Sequence, residues 1–252
     1  MKIDFISISQ RHDRPLPDIH GGQVQELDSQ GKIVRRDYKF RILEGTFGSR
    51  VQIRCVNSTV FFSGNPSRFG RTDNLQGLRW QEALTAVNAI LASQGLPPFT
   101  PTAPSRKGIS DAEFQATVHR LDICTDIVTG SSEEATLLIQ HLAAQKMSGL
   151  KQHHIHHLET VRWGGGKNGG KQFQAYIKGN ELAQNGTATP ELTLEHCHRQ
   201  GLVRFEGRFV AKGLSQHQAS TLDALVLCGG LDRLYVSGQP SRLDASPWIK
   251  AR

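Results

Sequence analysis

Three short segments of this chain hold residue types suited to breaking and making phosphodiester bonds. One is Tyr176-Ile177-Lys178-Gly179-Asn180-Glu181, another runs from Arg120 through Asp122 to Asp126, and the third is Val203-Arg204-Phe205-Glu206-Gly207-Arg208. A phenol titrates near 10 and needs help to attack at neutral pH. A divalent cation held by carboxylates supplies that help, because it polarises the phosphate and offsets charge in the transition state. Oxygen donors select Mg²⁺ or Mn²⁺. Asp122 and Glu206 are the leading candidate ligands, Asp126 and Glu181 the secondary ones. Tyr176 is the candidate nucleophile, and Lys178 is its neighbour, suited to lower the phenol's pKa or to contact a phosphate oxygen.

Such side chains act together only if strands place them on one surface. Side chains alternate across a strand. Leu121, Ile123 and Ile127 therefore face one way, and Arg120, Asp122, Cys124 and Asp126 the other. In the next segment Phe173, Ala175 and Ile177 oppose Gln174, Tyr176 and Lys178; in the last, Val203 and Phe205 oppose Arg204, Glu206 and Arg208. If the three pair in one sheet, one face gathers the chemistry. The competing reading is the solvated face of a half-buried sheet, where Arg and Asp alternate for cross-strand pairing.

The remaining patterns predict the frame. Ile3-Asp4-Phe5, Arg50–Val56 and Thr59–Phe62 read as strands, the last stopped by Ser63-Gly64-Asn65-Pro66. Trp80, Leu84, Val87 and Leu91 predict a helix over 75–93, ended by Gly95 and Pro97-Pro98. Ser110-Asp111-Ala112-Glu113 and Ser131-Ser132-Glu133-Glu134 have capping-box spacing, and the second opens a helix to about residue 146. Thr189-Pro190 opens another, and a last one is predicted over 214–228. The order implies an α+β fold: an antiparallel or mixed central sheet, helices packed on one face, and the candidate catalytic residues on the opposite, polar face. The 252 residues are read as a single domain, 1–252, with a proline-rich loop at 96–108.

A net charge of +7 favours a polyanionic partner such as nucleic acid. Cys55, Cys124, Cys197 and Cys228 form no CxxC pair, which argues against a zinc site or disulfide framework and for a reducing compartment. No apolar run reaches the roughly 18 residues needed to span a bilayer, and no signal peptide is predicted.

In order and approximate spacing the segments resemble the blocks of rolling-circle replication initiators of filamentous phages and staphylococcal plasmids. Those families carry an Arg-hydrophobic-Asp block with a second Asp four residues on (Arg120-Leu121-Asp122, Asp126), a Tyr-x-Lys-x-x-Glu block whose tyrosine attacks DNA (Tyr176, Lys178, Glu181), and an Arg-hydrophobic-Glu block (Arg204-Phe205-Glu206). The phage branch adds a block like Ser63-Gly64-Asn65-Pro66-Ser67-Arg68-Phe69 followed by Asp73-Asn74-Leu75. The resemblance spans about residues 58–210, with one departure: an arginine, Arg162, stands where the phage proteins usually have an aromatic. It implies a tyrosine nickase and strand-transferase that becomes linked to a 5′ phosphate at a phage or plasmid origin and later rejoins the ends. It also implies double- and single-stranded origin DNA and host replication proteins as partners, in the bacterial cytoplasm, with no membrane.

Two further motifs bear on DNA. His153-His154-Ile155-His156-His157 contains the His-hydrophobe-His triplet of another nicking superfamily, and that is the alternative enzyme reading. A non-catalytic DNA-binding regulator is the alternative of another class. The loop from Trp163 to Lys171 lacks the Gly-Lys-Ser/Thr of a nucleotide P-loop. Its Lys167 and Lys171, together with Arg68, Arg71, Arg120, Arg162 and Arg204, are the candidate DNA contacts.

Overall fold

The computed structural model describes residues 2–101, 114–147, 150–155, 159–165, 169–184, 190–226 and 229–237, of which 153–155 and 235–237 by backbone alone. The capping-box segment 110–113, most of the proline-rich loop, Lys167, His156 and His157 lie outside them. The strands are β1 (Lys2–Arg11), β2 (Gln23–Leu27), β3 (Ile33–Tyr38), β4 (Arg41–Glu44), β5 (Arg50–Val56), β6 (Thr59–Gly64), β7 (Thr117–Val128), β8 (Gln152–Ile155), β9 (Thr160–Gly164), β10 (Lys171–Ile177) and β11 (Leu202–Val210). Nine form one sheet in the order β4-β5-β6-β1-β7-β11-β10-β9-β8, and every pairing is antiparallel. β2 and β3 form a separate hairpin.

The helices are α1 (Trp80–Ser93), α2 (Ser132–Ala143), α3 (Lys178–Gln184), α4 (Glu191–Gln200), α5 (Ala211–Gln216), α6 (Leu222–Val226) and α7 (Gly230–Ser237). Trp80, Val87 and Leu91 of α1, Leu138 and Leu142 of α2, and Leu214, Leu222 and Leu234 pack with Ile6, Ile8, Ile53, Phe62, Leu121, Ile123, Phe173 and Phe205 in one core. The α+β class and the antiparallel central sheet are as the sequence predicts; the helices are not confined to one face, because α3 and α4 pack on the other.

Three local expectations change. The helix expected over 75–93 starts at Trp80: Asp73 caps the backbone N–H of Leu75, Lys2 takes the Leu75 carbonyl, and Glu82 accepts from Arg79 N–H at the true start. The last helix is broken into two, α5 and α6, with Gln218 in the left-handed region at φ 50 and Leu222 N–H bonded back to Ala116, and α7 lies beyond its expected end. The polar face is not open to water over its central strands. Residues 65–78 lie across it, and Leu182 of α3 and Leu194 and Cys197 of α4 form a small apolar cluster with Leu75, Val128 and Leu202. Val128 and Leu202 leave the sheet on that side, next in line to Ile127 and Val203 of the main core. The turn that lets α4 enter β11 needs Gly201, at φ 57, because a Cβ there would meet the Ser131 carbonyl at 2.1 Å.

Candidate active site

β11 is the axis of the site. Its register sets Arg204 opposite Asp126 on one side and Tyr176 on the other, Glu206 opposite Cys124 and Gln174, and Arg208 opposite Asp122. Three separately encoded segments thus meet on one face, as the alternation requires. The Tyr176 hydroxyl donates to Glu206 Oε2 at 3.3 Å, and Gln174 donates to the same oxygen at 2.9 Å. Arg162 in turn donates to Gln174 at 3.1 Å. Tyr176, Glu206, Gln174 and Arg162 line a cavity of about 280 Å³ together with Asp4, Asn74, Glu159, Asn180 and Glu181.

Asp4 is the residue that sequence reading misses. Between Ile3, opposite Ile123, and Phe5, opposite Asp122, the β1 chain holds one extra residue. That residue is Asp4, and the bulge re-aims it onto the polar face beside Phe5. Asn74, Asn65 and Arg204 hold its Oδ1, at 2.7, 3.2 and 3.4 Å. Ser67 Oγ donates to the Ile3 carbonyl at 2.7 Å, which fixes the bulge from the same loop. The block containing Asn65, Ser67 and Asn74 is therefore the clamp on Asp4. An aspartate inside an otherwise apolar strand start is the one signal available.

The other candidate carboxylates are spent on internal cations. Asp126 takes Arg204 at 2.6 and 3.0 Å and Lys2 at 2.8 Å. Burial pushes that carboxyl up, but the Arg204 and Lys2 contacts outweigh it and hold it below the usual range. Asp122 is buried between Arg120 and Arg208. Lys178 sits in the first turn of α3 rather than on the strand. It is buried, donates to Glu181 at 2.5 Å, and lies 5.8 Å from the Tyr176 ring centroid.

Burial raises the Tyr176 phenol well above its ordinary value, and the Glu206 charge adds to this against the opposing pull of Arg204. Tyr176 is thus held as a neutral phenol. Glu206 is pushed up to about 7 by burial, then by Asp4 and Asp122, against the hydrogen bond from Gln174 and the charge of Arg208. Burial pushes the Cys124 thiol up to about 12, which makes it inert.

The candidate DNA contacts divide. Arg68 and Arg71 are surface groups tied to the Phe47 and Gln76 carbonyls, and Lys171 opens β10 half-buried. Arg120 lies over the Phe5 ring at 4.0 Å. Arg204 is fully buried and has no surface to offer a phosphate. His153 and His154 lie on the edge strand β8, two strands from Tyr176.

Does the cavity suit a cation? Among the described residues no three His, Cys, Asp or Glu side chains form a ready-made cage. Mg²⁺ is usually held by one or two carboxylates, with water and substrate phosphate completing its shell. Among the described residues, the hydrogen bonds to Glu206 fall on Oε2 and those to Asp4 on Oδ1. One oxygen of each carboxylate is left over. The residues fit a hard divalent ion.

The sequence model of a phage family, described as the N-terminal part of a replication-associated protein, matches residues 2–227. The chain belongs to that family. The resemblance to filamentous-phage initiators is thereby borne out. Among similar proteins, the replication-associated protein of Escherichia phage If1 is 51% identical over 51 residues, a stretch covering 20% of this chain and 16% of the phage protein. Among the described residues no helix is long and apolar enough to cross a membrane.

Proposed function

We propose that this protein initiates rolling-circle replication in the bacterial cytoplasm by nicking one strand of a phage origin and later resealing it. The observation that carries this reading is the Tyr176 hydroxyl, buried in a carboxylate-lined cavity and hydrogen-bonded to Glu206. Tyr176 Oη forms a bond to phosphorus as the bond from phosphorus to the 3′ oxygen breaks. The electron pair leaves on that oxygen, which takes a proton from water. The phenolic proton passes to Glu206, whose Oε2 already accepts the hydrogen bond of the Tyr176 hydroxyl. The product is a 5′-phosphotyrosine and a free 3′ hydroxyl for a polymerase. The reverse sequence rejoins the strand, and the bond energy is kept in the phosphotyrosine meanwhile.

Asp4 and Glu206 would hold Mg²⁺ or Mn²⁺, with Glu181 on the cavity wall. When bound, the ion supplies charge neutralisation at the phosphate. Asp122 and Asp126 serve the same set from behind: they fix Arg208 and Arg204, which frame Glu206 and Asp4. Lys178 positions Glu181. Arg68, Arg71 and Lys171 would meet the DNA backbone.

The test is incubation of the protein with supercoiled origin DNA and Mg²⁺ or Mn²⁺, followed by detection of DNA-linked protein. Tyr176→Phe should abolish the adduct while DNA binding persists. An undiminished adduct in that variant overturns the nucleophile. Binding without any adduct from the wild type would leave the regulator reading in its place.

A further inference from the structure

The β2–β3 hairpin buries almost nothing. Every residue of β2 is exposed, and of β3 only Tyr38 is half-buried. Gly21 and Gly22 bond to Lys39 and close the base of the hairpin, and Arg54 of β5 ties that base to the body by donating to the Tyr38 carbonyl. An isolated two-stranded hairpin is marginal in water, and a bound partner would stabilise it.

Its two faces differ in chemistry. Gln23 pairs with Tyr38 and Gln25 with Arg36, which places these four on one face. On the other, Val24 pairs with Asp37 and Glu26 with Arg35, and Arg35 is bridged to Asp37 at 2.9 Å. Both carboxylates of the paired strands therefore lie on the second face. The first carries two amides, a guanidinium and a phenol, and among the described residues Gln23, Gln25 and Arg36 make no side-chain hydrogen bond. Lys32 at the tip and Lys39 and Arg41 at the base are all exposed.

We infer that the arm is a duplex-DNA reader: the Gln23/Gln25/Arg36 face enters the major groove and reads base edges, while Lys32, Lys39 and Arg41 hold the flanking phosphates. The major groove admits a two-stranded ribbon, Arg pairs in bidentate fashion with guanine and Gln with adenine, and both use purine N7. Phosphate contacts set the register. Recognition of the origin would thus reside on an arm apart from the cavity that cuts. This rests on the nicking reading for its purpose, not for its test.

The test uses the full chain and a pool of random 20-base-pair duplexes, from which the wild type selects its preferred sequence. Arg36→Ala and Gln25→Ala should each reduce preference for that duplex over the unselected pool by roughly 5- to 150-fold. Replacing residues 23–38 by Gly-Gly should erase it. Substituting 7-deazaguanine for guanine in the selected duplex should weaken the wild type and leave Arg36→Ala unmoved, which a merely structural arginine would not produce. All variants should still cleave a single-stranded oligonucleotide through Tyr176. The inference is overturned if the wild type selects no duplex, if Arg36→Ala keeps full preference, or if replacing the arm abolishes a dimer while preference stands. A ribbon-dependent preference in a protein that never cleaves would instead remove the nuclease reading alone.

Discussion

The central strands and the β2–β3 arm are built from the same kinds of residue, arginines with acidic partners beside a tyrosine, and they use them in opposite ways. Arg204 has no exposed surface and is gripped by Asp126 and Asp4, whereas the Arg35–Asp37 pair is 65% and 58% exposed. A buried ion pair that loses one partner strands the other without water, whereas an exposed pair is screened and adds little. The first arrangement fixes atoms; the second leaves side chains able to adapt to a ligand. Charge in a sequence thus does not announce its own role until burial is known.

The sharpest way to break that contrast is Arg204→Ala. It leaves Asp126 with only Lys2 and Asp4 with only its asparagines, and should lower stability by about 3–5 kcal/mol, read as a shift in the urea midpoint. A loss under about 1 kcal/mol would mean that the internal network is no different in kind from surface pairs.

Next is Glu206→Gln, measured with a chelator present. The folded carboxyl titrates at about 7 against 4.5 when free. The folded state therefore binds the extra proton between those values. Its advantage is complete below the free value and is lost as pH rises to about 7, by on the order of 2–3 kcal/mol. Glu206→Gln should flatten stability across that window and exceed the wild type at pH 8. An unchanged pH profile would assign the cost of burial to another group.

The smallest effect belongs to the arm. Arg35→Ala or Asp37→Ala should change stability by less than about 1 kcal/mol, in calorimetry at moderate salt. A larger loss would show that the arm is part of the folded body rather than an appendage.

Much of the site is legible in the sequence. The alternation in β7, β10 and β11 is strict, so the grouping of Asp122, Asp126, Tyr176 and Glu206 on one face follows from period two alone. Asp4 stays hidden because a bulge breaks that period at the residue concerned. Nothing in Tyr176-Ile177-Lys178 marks where β10 turns into α3, so alternation alone leaves Lys178 on the strand. The same alternation leaves the polar face in water, because the segment that covers it, residues 65–78, has no periodicity to reveal where it lies.

The strand order has a kinetic meaning. β4-β5-β6-β1 and β7-β11-β10-β9-β8 meet at a single seam between β1 and β7, where Ser9 and His119 bond across 110 positions of chain. Closing so long a loop is entropically slow, and pairings of this kind form late. Asp4 comes from one side of the seam and Tyr176, Glu206 and Arg204 from the other. A half-folded molecule with the β1–β7 seam still open can therefore hold Tyr176, Glu206 and Arg204 in register and still lack Asp4 and the cavity it helps to line.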